Sequence, residues 1–499
     1  SRLYASYYMG DDVIYAKVKT RDGILFGGSF KEYMKMGYNW GNIVGSLRWN
    51  YVINPKLFMN VSGAYTRYRN DVSLGQEYSD MTTFENIEMQ YKSGIQDLVG
   101  RVDFDYTPQP NHNIKFGGSL VHHIFTPEVL RSNGQFIEND YEYGQDLNYS
   151  YDTIVGQSKV KAEEINAFVE DDWSITDAIK INAGVMLSGF AVESHFYPSV
   201  QPRLSGRILL SEDLSIKAGY AYMTQYMHLL SNSSINLPTD LWVPVTARIA
   251  PMGAHQVAAG VFYSVKGLVD LSVEGYYKHM NNLMEYKDGA SFFGSSVGWE
   301  DKVCMGRGWA YGLEFLAQKS VGKFTGWVGY TWSKTERLFD REGQQLNNGL
   351  VFPARYDRRH DVSIVLMYKH DETFDCGVNW VYSTGNAVTL AMQEFEPSER
   401  TGEEGGYYWD DLGYIEQRNN FRMPAYHRMD VSMNFHKKLK RGVRTWSVSV
   451  YNVYNRQNPF IVYKSYGTPY DYNGQHYGSS LMQLSLFPII PSVSYNFKF

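Results

Sequence analysis

Cysteine is nearly absent: Cys304 and Cys376 are the two in 499 residues. Cys376 falls in an alternating segment that reads as a strand and Cys304 in a segment that reads as a loop, so no disulfide between them is expected. No run of 18 apolar residues exists, which excludes a membrane-spanning helix. Excess positive charge is lacking too. The formal net charge is -6, so nucleic acid is not a favoured partner. G-x-S-x-G, P-loop and H-E-x-x-H motifs are all missing, so neither an enzyme nor a cofactor-dependent protein is indicated. The chain opens at Ser1 with no Met and no charged-then-apolar export segment.

What the chain has is aromatic residues and alternation. Phe, Trp and Tyr make up 16% of it, with 41 Tyr, while hydrophobic residues are only 43% and mean hydropathy is negative. A length of 499 residues would ordinarily suggest about three globular domains. A β-barrel in a membrane reconciles these numbers, because half of each strand faces water and dilutes the average. Surplus Tyr and Trp suit the girdles where bilayer meets water.

The last segment shows the pattern most plainly. Val493, Tyr495, Phe497 and Phe499 alternate with Ser494, Asn496 and Lys498. The same period of two recurs in Leu47–Ile53, Leu98–Tyr106, Ile179–Leu187, Leu204–Leu210, Val269–Tyr277, Trp309–Phe315, Phe374–Tyr382 and Met429–Phe435. That period belongs to strands and not to helices. Counting along the chain gives about 18 strands, each long enough for the roughly 9–11 residues a tilted crossing needs. Short turns are expected at Asn54-Pro55, Gln109-Pro110, Thr176-Asp177, Glu212-Asp213, Lys266-Gly267, Gly322-Lys323, Asp371-Glu372 and Arg441-Gly442. Longer polar segments alternate with them, around 12–40, 70–95, 128–160, 231–244, 285–307, 336–354, 388–424 and 464–479, with a shorter one at 191–200. Short turns on one side and long loops on the other describe an outer-membrane barrel. A soluble sandwich or propeller explains neither that alternation nor the one-sided apolar faces. Met482, Leu484 and Leu486 are out of phase with Val493–Phe499, which predicts a β-bulge near Phe487-Pro488.

Segments such as SLRWNYVINPKLFMNVSGAYTRYR (46–69), YGLEFLAQKSVGKFTGWVGYTWSKTERLF (311–339), FPARYDRRHDVSIVLMYK (352–369), WVYSTGNAVTL (380–390), YHRMDVSMNFHKK (426–438), SVYNVYNRQNPF (449–460) and LFPIIPSVSYNFKF (486–499) resemble the barrel of a TonB-dependent outer-membrane transporter of the Bacteroidota type. The resemblance covers most of the chain and implies an all-β fold, a large antiparallel up-and-down transmembrane β-barrel of about 22 strands with a plugged lumen. It also implies an N-terminal plug and a short segment that binds TonB, coupling import to the proton-motive force. Residues 1–499 would then be the C-terminal barrel part, with plug, TonB-binding segment and first strands outside them. The implied function is energy-coupled import of a scarce nutrient: chelated iron or haem, cobalamin, an oligosaccharide or a peptide. The implied partners are the lipid bilayer, TonB, the nutrient and a surface lipoprotein. A passive porin-like channel and a structural component of an outer-membrane complex are the rival readings.

Candidate site residues follow from position. Arg355, Asp357, Arg359 and Asp361 alternate with the lipid-facing set Val362, Ile364, Leu366 and Tyr368, so they read as an inward charged ladder, contacting substrate or compensating one another. Aromatic and acidic loop clusters centre on Tyr141, Tyr143, Tyr149 and Tyr151, on Tyr407, Tyr408 and Trp409, and on Tyr466, Tyr470, Tyr472 and Tyr477. Such rings stack on ligands or pack loop on loop. His122-His123 lacks metal-ligand spacing. Asp471-Tyr472-Asn473-Gly474 lacks a closing calcium ligand and reads as a turn. Glu163-Glu164 reads as rim charge, with no acid/base pair implied. Val493, Tyr495, Phe497 and Phe499 carry a second reading, as the edge-strand signal recognised during membrane insertion.

Overall fold

A computed structural model describes residues 1–25, 28–140, 145–156, 159–230, 241–290, 298–395, 412–465 and 480–499. Among them, twenty strands form one antiparallel sheet. Two of the twenty, Gln145–Val155 and Phe352–Pro353, branch from the wall, on His112–Asp140 and Phe324–Leu338. The other eighteen run up and down in sequence order and match the expected number. No helix is long and apolar enough to cross a membrane among the described residues. All eight expected short turns join consecutive strands. Four are tied by their own side chains: Asn54, Thr176, Ser211 and Asp371 each accept a backbone N–H two or three residues on.

Pairing carries the apolar residues into continuous outward rows. Ile208, Ile216, Val261, Val273, Phe315 and Tyr330 are direct partners from strand to strand. Val493 faces Val448, and Tyr495 faces Trp446 with ring centroids 5.0 Å apart. Most of these side chains are exposed on the isolated chain, as side chains that meet lipid must be. The buried core is small by comparison. Three apolar clusters lie at the long-loop end, centred on Tyr91 and Trp299, on Phe125 and Phe190, and on Phe339 and Phe352.

Several expectations need correction. The segments 12–40, 70–95 and 128–160 are mostly strand. Arg2–Leu25 pairs with Gly28–Asn54, Leu57–Ser79 with Thr83–Tyr106, and His112–Asp140 with Gln145–Val155. Above the bilayer both faces of a sheet are wet, so the apolar alternation fades while backbone pairing continues. Cys304 lies in the strand Val303–Lys319, and both cysteines are free. The phase slip near Phe487-Pro488 is a break and no bulge: Ser480–Leu484 pairs with Ile461–Ser465 in a separate hairpin, and the wall resumes at Ile490–Lys498. Arg355, Asp357 and Arg359 precede the strand His360–Lys369 in a turn, so they form no ladder. Finally, the wall is not closed by pairing among the described residues. Arg2–Leu25 pairs only with Gly28–Asn54, and Ile490–Lys498 only with Gly442–Tyr451.

Candidate functional site at the inner wall and mouth

The polar face opposite the lipid rows is organised by charge. Following direct cross-strand partners gives Lys180, Arg207, Lys217, Gly260, Glu274, Glu314, Thr331 and Asp361. Three cations stand side by side, then three anions interrupted by one threonine. Lys180 has a counter-charge in Asp172 at 2.8 Å, and Lys217 lies over the Phe262 ring at 3.8 Å. Higher on the same face, Arg101 and Arg203 help to line a cavity of about 420 Å³ with Asn166, Phe168 and Glu170. Sequence alternation marked these side chains as polar. It could not reveal that pairing sorts them by sign.

At the long-loop end, connecting segments are stitched to one another. Asp357 is fully buried; it accepts from the Thr335 backbone N–H at 2.7 Å and pairs with Arg359 at 3.4 Å and with Arg422. Arg355 is buried and stacks on Tyr356. Among the four expected ladder residues, only Asp361 takes a place in the inner row. A second hub is buried Glu285, which pairs with Arg418 at 2.9 Å and with Arg337. Arg418 also donates to Asp288 at 2.8 Å and to the Tyr286 carbonyl at 3.0 Å, while its own N–H donates to Asn347 Oδ1 at 2.8 Å. Three connections, near 288, 347 and 418, are thereby held as one body. Neither Glu285 nor Arg418 was singled out from sequence, because nothing local marks a partner 133 residues away.

A third element is a hairpin. Met227–Leu230 pairs with Leu241–Pro244, and the hairpin packs against strands Thr83–Tyr106, His112–Asp140 and Val269–Tyr286. Leu230 and Val243 bury against Tyr91, Met284 and Trp299. Tyr226 stacks on Phe190 at 4.7 Å, its hydroxyl 2.6 Å from Ser188 Oγ. His228 is buried with Nε2 3.0 Å from the Ala250 carbonyl, and burial pushes its pKa down to about 4.

His122 and His123 point to opposite sides. His123 Nδ1 lies 2.8 Å from Asp97 and its Nε2 3.5 Å from Glu164, on the inner side. His122 Nδ1 lies 2.6 Å from Glu163, on the outer side. Adjacent strand residues always diverge in this way, which is why Glu163-Glu164 forms no carboxylate pair. No group of three or more potential metal ligands occurs among the described residues. Tyr149 and Tyr151 lie on the branch strand, ring centroids 6.1 Å apart. Tyr141, Tyr143, Tyr407, Tyr408, Trp409, Tyr466, Tyr470, Tyr472, Tyr477 and the 471–474 turn lie outside the described residues. Val493, Tyr495, Phe497 and Phe499 share one exposed face of the last strand.

Comparison with known proteins bears on this architecture. The family model described as TonB dependent receptor-like, beta-barrel matches residues 4–455. No curated protein matches the chain by sequence. The fold is similar to the siderophore receptor PiuA from Acinetobacter baumannii, at 11% identity over 99% of this chain and 75% of that one, TM-score 0.55. It is similar to the FrpB iron transporter from Neisseria meningitidis (F5-1 variant, apoprotein form), at 12% identity over 91% and 76%, TM-score 0.50. The FpvAI chain in its complex with pyocin S2 is covered over 66% of its length, at 10% identity over 91% of this chain, TM-score 0.49. The chain thus spans about two thirds to three quarters of these structures.

Proposed function

The chain belongs to the TonB-dependent receptor-like β-barrel family, which makes it an outer-membrane barrel protein and no enzyme, and on that premise we propose that it forms the wall of an importer driven through TonB. Its cargo is a scarce nutrient too large for passive pores: a metal chelate or haem, cobalamin, an oligosaccharide or a peptide. The observation that carries the reading is the stitched mouth. Buried ion pairs at Glu285 and Asp357 tie connecting segments together at the long-loop end, and a hairpin packs there around Leu230 and Val243, an arrangement suited to capture and energised release and poorly suited to free diffusion.

Within this reading Asp361, Glu274 and Glu314 are the acidic groups presented to whatever occupies the lumen. Asp357, being buried, holds loops in place and does not touch cargo. Val493, Tyr495, Phe497 and Phe499 are assigned the insertion signal, on a strand whose far edge has no partner among the described residues. TonB and a nutrient are the partners the reading requires.

The test is uptake of a panel of labelled ferric chelate, cobalamin, oligosaccharide and peptide by cells that express the complete protein, with TonB present or deleted. Accumulation of one class that vanishes without TonB supports import. Equal passage with and without TonB identifies a passive channel and overturns it.

A further inference from the structure

Five strands end their outward apolar run on a histidine. The runs are Ile114–Leu120, Val257–Tyr263, Leu271–Tyr277, Val362–Tyr368 and Met429–Phe435, taken at alternate residues. The histidines are His122, His255, His279, His360 and His427, each two residues beyond its run at the end away from the short turns. No register shift falls between any of these histidines and its run. From histidine to the far end of the run is eight residues, or about 26 Å along a strand, and about 20 Å along the membrane normal at a tilt near 40°, close to the ~25 Å apolar band of such barrels. The five therefore lie at one height, at the extracellular boundary of the hydrocarbon.

Their rings are held in a repeated manner. His255 Nδ1 lies 3.0 Å from the Tyr220 hydroxyl, His360 Nδ1 2.9 Å from that of Tyr330, and His427 Nδ1 2.9 Å from that of Tyr454. His279 lies directly opposite His255 and against Trp309, centroids 5.9 Å apart. His122 donates its Nδ1–H to Glu163. A tyrosine hydroxyl that donates to Nδ1 places the ring proton on Nε2, leaving an N–H donor at the free pole of the ring. If stacking were the whole requirement, Tyr or Trp would serve this girdle.

We propose that His255, His279, His360 and His427 form a collar that hydrogen-bonds the phosphate oxygens of lipid headgroups at the outer boundary of the membrane, fixing the barrel's depth; His122 stands at the same height, but its N–H is taken by Glu163. The collar is independent of what the lumen transports.

The test uses the full chain folded into phosphatidylcholine bilayers containing phosphatidic acid. Phosphatidic acid retained on the protein after detergent extraction is measured by mass spectrometry. Replacing His255, His279, His360 and His427 together by Phe keeps the rings and removes the donors, and is expected to lower retention about fivefold, the worth of roughly one net hydrogen bond. The matching Gln set keeps a donor and is expected to restore most of it. Unchanged retention in the Phe set overturns the proposal, as does a Gln set that loses as much as the Phe set. Independently of any variant, the histidine Nε2 resonances of the ¹⁵N-labelled protein shift when the protein passes from phosphate-free maltoside micelles into the phosphatidic acid-containing bilayer. Resonances that stay in place also overturn it.

Discussion

Arg418 and Glu285 lie 133 residues apart in the chain and meet at 2.9 Å, both side chains buried. The pair joins the connection before Tyr426 to the end of the strand Val269–Tyr286. It is the point at which separate loops are tied into one body.

Removing one partner strands the other in a dry site. Arg418→Ala leaves Glu285 with Arg337 alone, at a cost of about 3 kcal/mol or more. Amide exchange across 285–290 and 412–422 should quicken by about two orders of magnitude, while wall strands keep their protection. Replacing Glu285 and Arg418 together by Leu and Met should recover part of the loss, since the two most deeply buried charges leave together while Arg337 and Asp288, which each lose a partner, reach solvent. Unchanged exchange in Arg418→Ala would show that the loops are held by other contacts.

The hairpin that carries His228 should respond to acid. Burial holds His228 at a pKa of about 4, below its ordinary 6.5. A neutral ring is required in the packed state, whereas the released loop takes up a proton below pH 6.5. Packing is therefore fully stable above pH 6.5 and weakens as pH falls, losing about 2 kcal/mol by pH 5 and about 3 kcal/mol below pH 4. Proteolysis at the 226–250 connection should accelerate between pH 7 and pH 5. In His228→Leu, which has no proton to gain, the rate should stay flat.

Legibility in the sequence followed the solvent. Where one face met lipid and the other water, as in Val269–Tyr277 or Met429–Phe435, alternation located the strand, its outward face and the turn below it. Where both faces were wet, as in Asp12–Lys17 beside Lys35–Trp40, the same backbone pairing read as loop. The site suffered from a related blindness. Asp361 was placed by parity with Val362, because parity is local. Asp357 was misplaced in the inward ladder because the strand starts at His360, and the Arg422 that pairs with it is 65 residues away. The histidines beyond the apolar runs were present in the alternation itself, yet their common height emerges only once register is known.

The inner row makes a prediction about charge. Glu274 and Glu314 face each other directly, an arrangement that costs a few tenths to about 1 kcal/mol when both are ionised. Glu314→Gln should raise the urea concentration at which the barrel loses its fast-migrating folded band. Adding Glu274→Gln should contribute little more, because either change alone removes the repulsion. A lowered midpoint in Glu314→Gln would mean that a cation already compensates the pair.

The last strand depends on one close approach. Gly442 opens the strand Gly442–Tyr451 and lies against the end of Ile490–Lys498, where a Cβ would run into the Lys498 carbonyl oxygen. That atom is backbone in a paired strand, so it cannot swing aside as a side chain would. Gly442→Ala must therefore push the terminal strand outward at the register where Val443 meets Lys498. The cost should reach about 2 kcal/mol, the scale of overpacking in a fixed site, and it falls on the strand assigned the insertion signal. Assembly in cells should fall, read as a smaller folded fraction in unheated electrophoresis. Gly100→Ala is the matched control, because a Cβ there meets nothing within 4 Å and a strand interior tolerates Ala better than Gly. If Gly442→Ala assembles as well as Gly100→Ala, the terminal strand has more freedom than its pairing implies, and a signal read from its geometry loses its basis.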